Sequence, residues 1–247
     1  MEIFDFIIIS IAIISSAIVK TAIGVGAGIF LLPVLSLVLP PKQALGLGAP
    51  AMLISDIVGL RLYRGEWDKR EALLIIPPAV VGVATGVIVV KLLPTTVFKY
   101  WVGVFAVTFA LYNLAKKIWK LEFPKLRTWK IGRKTALFFG FLGGFASAVS
   151  HAGGAVLSLY LLSRKLDKRA FVGLFILFFF LTNLSKTIGY VQIGILTIDL
   201  LVAVVVLSPL IALGSIAGNY LNKIVSQDKF RTIVLVVILL TGIRLLY

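Results

Sequence analysis

The chain has no cysteine and a single histidine in 247 residues. Disulfides, thiolate metal sites and cysteine nucleophiles are excluded, and a multi-histidine metal centre cannot be built. Acidic residues number only ten and are scattered, with no pair at helical spacing inside an apolar stretch. The clustered acids that metal or general-base chemistry needs are therefore missing, and neither metal nor cofactor is expected. A P-loop signature is also absent, so ATP does not supply energy through this chain. Charged side chains make up 14% of the sequence, against about a quarter in soluble domains. What is there is apolar: 60% hydrophobic residues and a mean hydropathy of +1.08. Stretches such as Ile3 to Val19, Ala72 to Val90 and Leu200 to Ala217 approach the ~20 residues that cross a ~30 Å hydrocarbon layer as helix. An all-α integral membrane protein follows, because a barrel would show ~10-residue alternating segments instead.

The 25 basic residues give a formal charge of +15. In a soluble chain that balance would suggest nucleic acid. Here the basic residues concentrate in short loops between apolar segments, and no soluble stretch interleaves them with aromatics on which bases could stack. Nucleic acid is excluded as a partner. The N-terminus opens with Glu2 and Asp5 where a signal peptide carries positive charge, so it is expected to stay in place as a membrane segment.

Laid against itself at an offset of about 126 to 132 residues, the chain shows an ordered series of matches. Gly28 falls on Gly154, Lys42 and Ala44 on Lys168 and Ala170, and Gly65 on Gly194. Pro78 then falls on Pro209, Gly82 and Gly86 on Gly214 and Gly218, and Phe98 on Phe230. Two repeats are implied, residues 1–115 and 136–247, joined by a basic linker at 116–135. Each opens with a Gly-interrupted block, Ile3 to Leu39 or Ala136 to Ser163. Three plain spans follow in each: Ala44–Leu60, Ala72–Val90 and Val97–Ala115, then Ala170–Tyr190, Asp199–Leu221 and Phe230–Leu246.

The second block, 28 residues long, would measure about 42 Å as helix, too much for one span and too little for two. Each block is either a broken helix that crosses once or a hairpin that returns to the side it entered. Loop charge discriminates them. With hairpins the halves are inverted, and loops 61–71, 116–134, 164–169 and 222–231 share one side with nineteen basic residues. The other side then holds only Lys42, Lys91, Lys99 and Arg244. A single crossing would divide the basic loops between both sides. The positive-inside rule selects the hairpins, cytoplasmic basic loops and both termini outside.

The interruptions read Lys20-Thr-Ala-Ile-Gly24-Val-Gly26-Ala-Gly28 and Ser147-Ala-Val-Ser150-His151-Ala-Gly153-Gly154. Unwound glycine backbone at membrane depth is tolerated only where it is buried in protein or lines a cavity. Breaks at equivalent places in two inverted halves point to a midplane transport site. The N–H groups after Gly24, Gly26, Gly28, Gly153 and Gly154 would face an anion at the positive end of the following helix. The competing reading is that these glycines only let helices pack closely. Polar side chains at depth add candidates, since burying them is costly unless they are paired or wet. Ser150, His151, Asn183, Lys186 and Thr187 are candidate substrate ligands, with snorkelling as the alternative for Lys186 and a satisfied core position for His151. Asp56, Arg61 and Lys20 are candidate charge or coupling partners, Asp56 as the structural partner of a base or a proton carrier and Lys20 as an interfacial anchor or a ligand.

Gly24-Val-Gly26-Ala-Gly28-Ile-Phe-Leu-Leu-Pro33 and His151-Ala-Gly153-Gly154-Ala open the two halves. Each precedes a short loop with Lys-x-Ala, Lys42-Gln43-Ala44 or Lys168-Arg169-Ala170. In these features the chain resembles the TauE/SafE sulfite exporter family over nearly its whole length. The resemblance implies secondary transport of small sulfur-containing anions, such as sulfite or organosulfonates, outward across a bacterial inner membrane.

The expectation is an inverted-repeat helical bundle, not an enzyme, that exports such an anion by alternating access. Its partners would be the anion, the lipid bilayer and, if it self-associates, a second copy in a homodimer. Two rivals share the composition. An anion channel needs the same polar centre, and an intramembrane lipid-carrier phosphatase has inverted halves but needs the acid cluster this chain lacks.

Overall fold

The computed structural model describes residues 3–23, 27–119, 132–164, 166–224 and 227–247. They form ten helices: α1 (Ile3–Ile23), α2 (Ala27–Leu35), α3 (Pro41–Leu62), α4 (Lys69–Leu92), α5 (Thr95–Ile118), α6 (Arg133–Ser150), α7 (Gly153–Leu161), α8 (Lys168–Gln192), α9 (Ile198–Ile224) and α10 (Gln227–Leu246). Five of these, α3, α4, α5, α8 and α9, are long and apolar enough among the described residues to cross a membrane. All six expected segments are helices, five of them candidate spans, and they extend a few residues beyond the expected bounds, α10 at its start only. Local signals explain the extensions. Pro41 stands at the first position of α3, where its missing N–H costs nothing. Asp68 and Asp167 cap α4 and α8 by accepting from Glu71 N and from Arg169 N and Ala170 N.

The two Gly-interrupted blocks each become a long helix followed by a helix of nine residues, about 14 Å, far short of a span. In both, the short helix doubles back on the long one. Ser16 Oγ lies 3.4 Å from Ala27 O, although eleven residues of straight helix would separate them by about 16 Å. A Cβ at Gly153 would lie 2.5 Å from Gly143 O and 2.7 Å from Ser147 Cβ, so the start of α7 rests on the side of α6.

Packing between the halves follows a reciprocal scheme. α4 lies on α6 and α9 lies on α1, both in parallel. Ile75 and Ala79 meet Gly140 and Gly144, while Ile14 and Ile18 meet Gly214 and Gly218. At each contact a small residue lets the backbones touch: a Cβ at Gly144 would fall on the Ala79 carbonyl, and one at Gly218 on the Ile18 carbonyl. The counterparts α3 and α8 run antiparallel, with Gly59 against Ile176 and Asp56 bonded to Asn183. So do α5 and α10, with Gly103 against Leu246 and Arg231 donating to Asn113 Oδ1. Among the described residues the glycines with positive φ are Gly65 (80°) and Gly194 (76°), each in the turn after α3 or α8.

Loop contacts agree with this arrangement. Arg169 pairs with Glu66 at 2.9 Å, placing loop 164–169 beside loop 61–71. At the opposite end Lys42 donates to Leu93 O at 2.5 Å and so satisfies the C-terminus of α4. Large apolar side chains such as Leu73, Val81 and Ile88 of α4 and Val202, Val205 and Leu213 of α9 face outward, as a lipid environment requires. The largest buried cluster joins both halves, from Ile9 and Ile13 of α1 through Leu45 and Leu47 of α3 to Tyr190, Val204 and Ile211.

Candidate functional site

The centre of the molecule is where α3 and α8 cross. Asn183, Lys186 and Tyr190 recur at three- and four-residue spacing and therefore share the face of α8 turned inward. Asp56 meets them from α3, Lys20 from the last turn of α1, and His151 from the turn between α6 and α7. All three residues of the α8 stripe are buried, as are Asp56 and His151.

Two hydrogen-bonded chains organise the centre. In the first, Lys20 Nζ donates to Asp56 Oδ1 at 2.5 Å and to Met52 O at 3.0 Å, and Asn183 Nδ2 donates to Asp56 Oδ2 at 2.6 Å. In the second chain, Lys186 Nζ lies 2.8 Å from His151 Nδ1 and donates to Ser147 O at 3.3 Å. His151 Nε2 lies 3.1 Å from Leu45 O. A carbonyl only accepts, so Nε2 carries the proton and Nδ1 offers its lone pair to Lys186. Tyr190 donates to Ala148 O at 2.6 Å, tying α8 to the end of α6.

His151 is the pivot of the second break. It sits in the left-handed region (φ 54°, ψ 18°), the only described residue other than glycine to do so. Histidine tolerates this conformation better than branched residues do, and two ring hydrogen bonds hold it there. The neighbouring helices make room with glycine. A Cβ at Gly28 would fall on His151 Cβ and its carbonyl oxygen, and one at Gly48 would lie 2.6 Å from His151 Nε2.

Against this pivot lies a cavity of about 20 Å³, lined by Lys20, the first residues of α2 (Ala27, Gly28, Ile29), His151, and the first residues of α7 (Ala152, Gly154, Ala155), with Met52 and Phe179 closing it. It has room for one water. Two helix N-termini thus converge on one spot beside a lysine, and their positive ends and N–H groups suit an anion. Lys20 also lies over the Phe179 ring, 5.5 Å from its centroid. Two buried polar atoms nearby, Ser147 Oγ and Asn183 Oδ1, have no hydrogen-bond partner among the described residues.

The sequence candidates divide accordingly. Gly28, His151, Gly154 and Lys20 line the cavity, and Asp56, Asn183 and Lys186 stand directly behind it. Gly153 begins α7 against α6, and Ser150 is buried with its hydroxyl returned to Ala146 O. Gly24 and Gly26 lie outside the described residues. Several expectations need correction. The unwound residue of the second break is His151, while Gly153 and Gly154 are already helical and serve close approach; a Cβ at Gly154 would lie 2.6 Å from Phe179 Cζ. Lys20 is no interfacial anchor: its side chain is 13% exposed and paired with Asp56. For Lys186, expected as a candidate ligand, 1% exposure removes the snorkelling alternative rather than the expectation. Arg61 is exposed in the last turn of α3, because five residues on from Asp56 turn it about 140° away from the centre. Thr187 is half-buried and spends its hydroxyl on Asn183 O.

Sequence reasoning did not single out Gly48 or Phe179, which look like ordinary core residues. It also placed Glu71 in a loop. Glu71 is 2% exposed, accepts from Tyr160 Oη at 2.7 Å and pairs with Arg164, fastening the end of α7 to the start of α4. An acid at the very start of a long apolar run was the available signal.

The fold and site define a class: a multi-pass helical membrane protein with a buried polar centre between two short helices. The chain belongs to the TauE/SafE sulfite exporter family, whose model matches residues 8–245. Comparison with curated proteins and with solved structures gave no match.

Proposed function

We propose that the chain is a secondary transporter that exports a small sulfur-containing anion, sulfite or an organosulfonate, by alternating access about the junction of α2 and α7. The observation that carries this reading is the convergence of two short-helix N-termini on a cavity lined by Lys20 and backed by Lys186. Family membership supports the chemistry of the cargo. The halves are taken as inverted repeats, residues 1–115 and 136–247, joined by the basic linker 116–135. Antiparallel counterparts, reciprocal α4–α6 and α9–α1 packing and the matched left-handed glycines support that division. Both short helices would be re-entrant, entering from opposite faces of a bacterial inner membrane, with the basic loops cytoplasmic and the termini outside. A cavity that holds only a water between packed helices favours a carrier, which opens to one side at a time, over an open channel.

The test is a thermal-stability screen of the purified protein against sulfite, sulfate, thiosulfate, sulfoacetate and taurine, followed by counterflow of the stabilising anion in proteoliposomes. A ligand of the folded state raises its melting temperature by mass action. Saturable exchange of at least one of these compounds is expected. Stabilisation by none of them, together with no exchange, would refute the proposal.

A further inference from the structure

Around the junction of the short helices stand two lysines and one carboxylate. Lys20, which lines the cavity, is matched by Asp56, which lies behind it and touches Lys20 and Asn183. Lys186 has a histidine nitrogen and a backbone carbonyl for partners, and no carboxylate lies within ion-pair distance of it among the described residues. His151 adds no charge, because its one ring proton is on Nε2 facing Leu45 O and its Nδ1 lone pair faces Lys186. Tyr190, the next polar group along α8, gives its proton to Ala148 O. The helix packed on the other side of α8 is α4, which brings Val87 to Gly189 and no charged side chain at that level. With Lys20 and Lys186 protonated and Asp56 ionised, the centre holds one positive charge in excess.

We infer that this centre is matched to a monovalent oxyanion and discriminates against a divalent one, with Asp56 setting the selectivity by neutralising Lys20. The inference rests on the anion-site reading above. In a low-dielectric interior an unmatched charge is penalised far more than in water, so charge count weighs heavily there. A monoanion brings the loaded centre to neutrality. A dianion leaves it negative, with no further cation in reach. Asp56 contacts Lys20 rather than the cavity, so it acts as a positioning residue that spends one of the two lysine charges before the ligand arrives.

Methanesulfonate and sulfate test this, being tetrahedral at sulfur, close in size and one charge apart. Their affinities are measured calorimetrically on the same purified full-length protein. The wild type is expected to bind methanesulfonate at least tenfold more tightly than sulfate. Asp56→Asn leaves two unmatched lysines and should move that ratio at least tenfold toward sulfate. The Lys20→Met/Asp56→Asn double variant removes the pair together. It should bind both anions more weakly while keeping the wild-type ratio, and it decides the matter even if Asp56→Asn alone does not fold. Equal affinities in the wild type, a preference for sulfate, an unmoved ratio in folded Asp56→Asn or a lost ratio in the double variant would each overturn the inference while leaving an anion site in place. Binding of neither anion by the wild type would instead overturn the anion-site reading, and the inference with it.

Discussion

Gly48→Ala should damage the site by driving a methyl group into the His151 ring. The added Cβ would lie 2.6 Å from His151 Nε2, 3.3 Å from Cε1 and 3.4 Å from Cδ2, so it meets the whole leading edge of the ring. The ring has no free retreat. Its Nε2 is held by Leu45 O at 3.1 Å, its Nδ1 by Lys186 at 2.8 Å, and its backbone abuts Gly28. Overpacking of this kind costs about 1–3 kcal/mol. Losing the two ring hydrogen bonds adds about 1 kcal/mol each, while alanine in a helix interior returns about 1 kcal/mol relative to glycine. The expected net destabilisation is about 2–4 kcal/mol. In a His151→Ala background the ring is gone, and only the helix-propensity gain of about 1 kcal/mol remains. Thermal or denaturant unfolding of the wild type, both single variants and the double variant in the same detergent gives a double-mutant cycle. A coupling energy of about 3 kcal/mol or more, with Gly48→Ala neutral or stabilising once His151 is absent, is the predicted outcome. Additivity within about 0.5 kcal/mol would refute the argument, since that is the behaviour of sites that do not touch.

Lys186→Gln should weaken binding of the transported anion at least tenfold, about 1.4 kcal/mol, while Arg64→Gln in an exposed loop should leave it unchanged; titration calorimetry distinguishes these, and equal small effects would mean that the short helices bind the anion without Lys186. Arginine at 186 keeps the charge but not the geometry, so only partial recovery is expected. In this cysteine-free chain, Arg64→Cys should resist an impermeant thiol reagent applied outside intact cells and Thr197→Cys should react; the converse pattern would invert the proposed orientation. Glu71→Gln should cost about 1–3 kcal/mol of stability, because a buried carboxylate loses its charge-assisted bonds to Tyr160 and Arg164. The lower half of that range is favoured because Arg164 is a third exposed and water can replace its partner. Tyr160→Phe should cost about half as much, and melting curves that leave both variants at wild-type stability would remove this tether from the account.

Composition and periodicity alone determined that the chain is a helical membrane protein, because lipid leaves few ways to satisfy a backbone and apolar runs of span length are unmistakable. Loop charge favoured hairpins over single crossings; α2 and α7 lie back along α1 and α6, and the side of the membrane each enters from belongs to the proposal. The ordered matches Gly65 with Gly194 and Gly82, Gly86 with Gly214, Gly218 marked places where backbone geometry or close approach needs glycine, which is why they stood out against a background rich in small residues. The polar residues at depth were equally legible, since each carries a desolvation cost that must be met somewhere. Their partners were not. That Lys20 reaches Asp56 rather than the interface, that Lys186 faces His151 rather than snorkelling, and that Arg61 turns outward depend on how α1, α3, α6 and α8 are juxtaposed across separations of 32 to 127 residues. A sequence lists the charges in a membrane interior, but only tertiary packing decides which of them meet a partner of opposite charge.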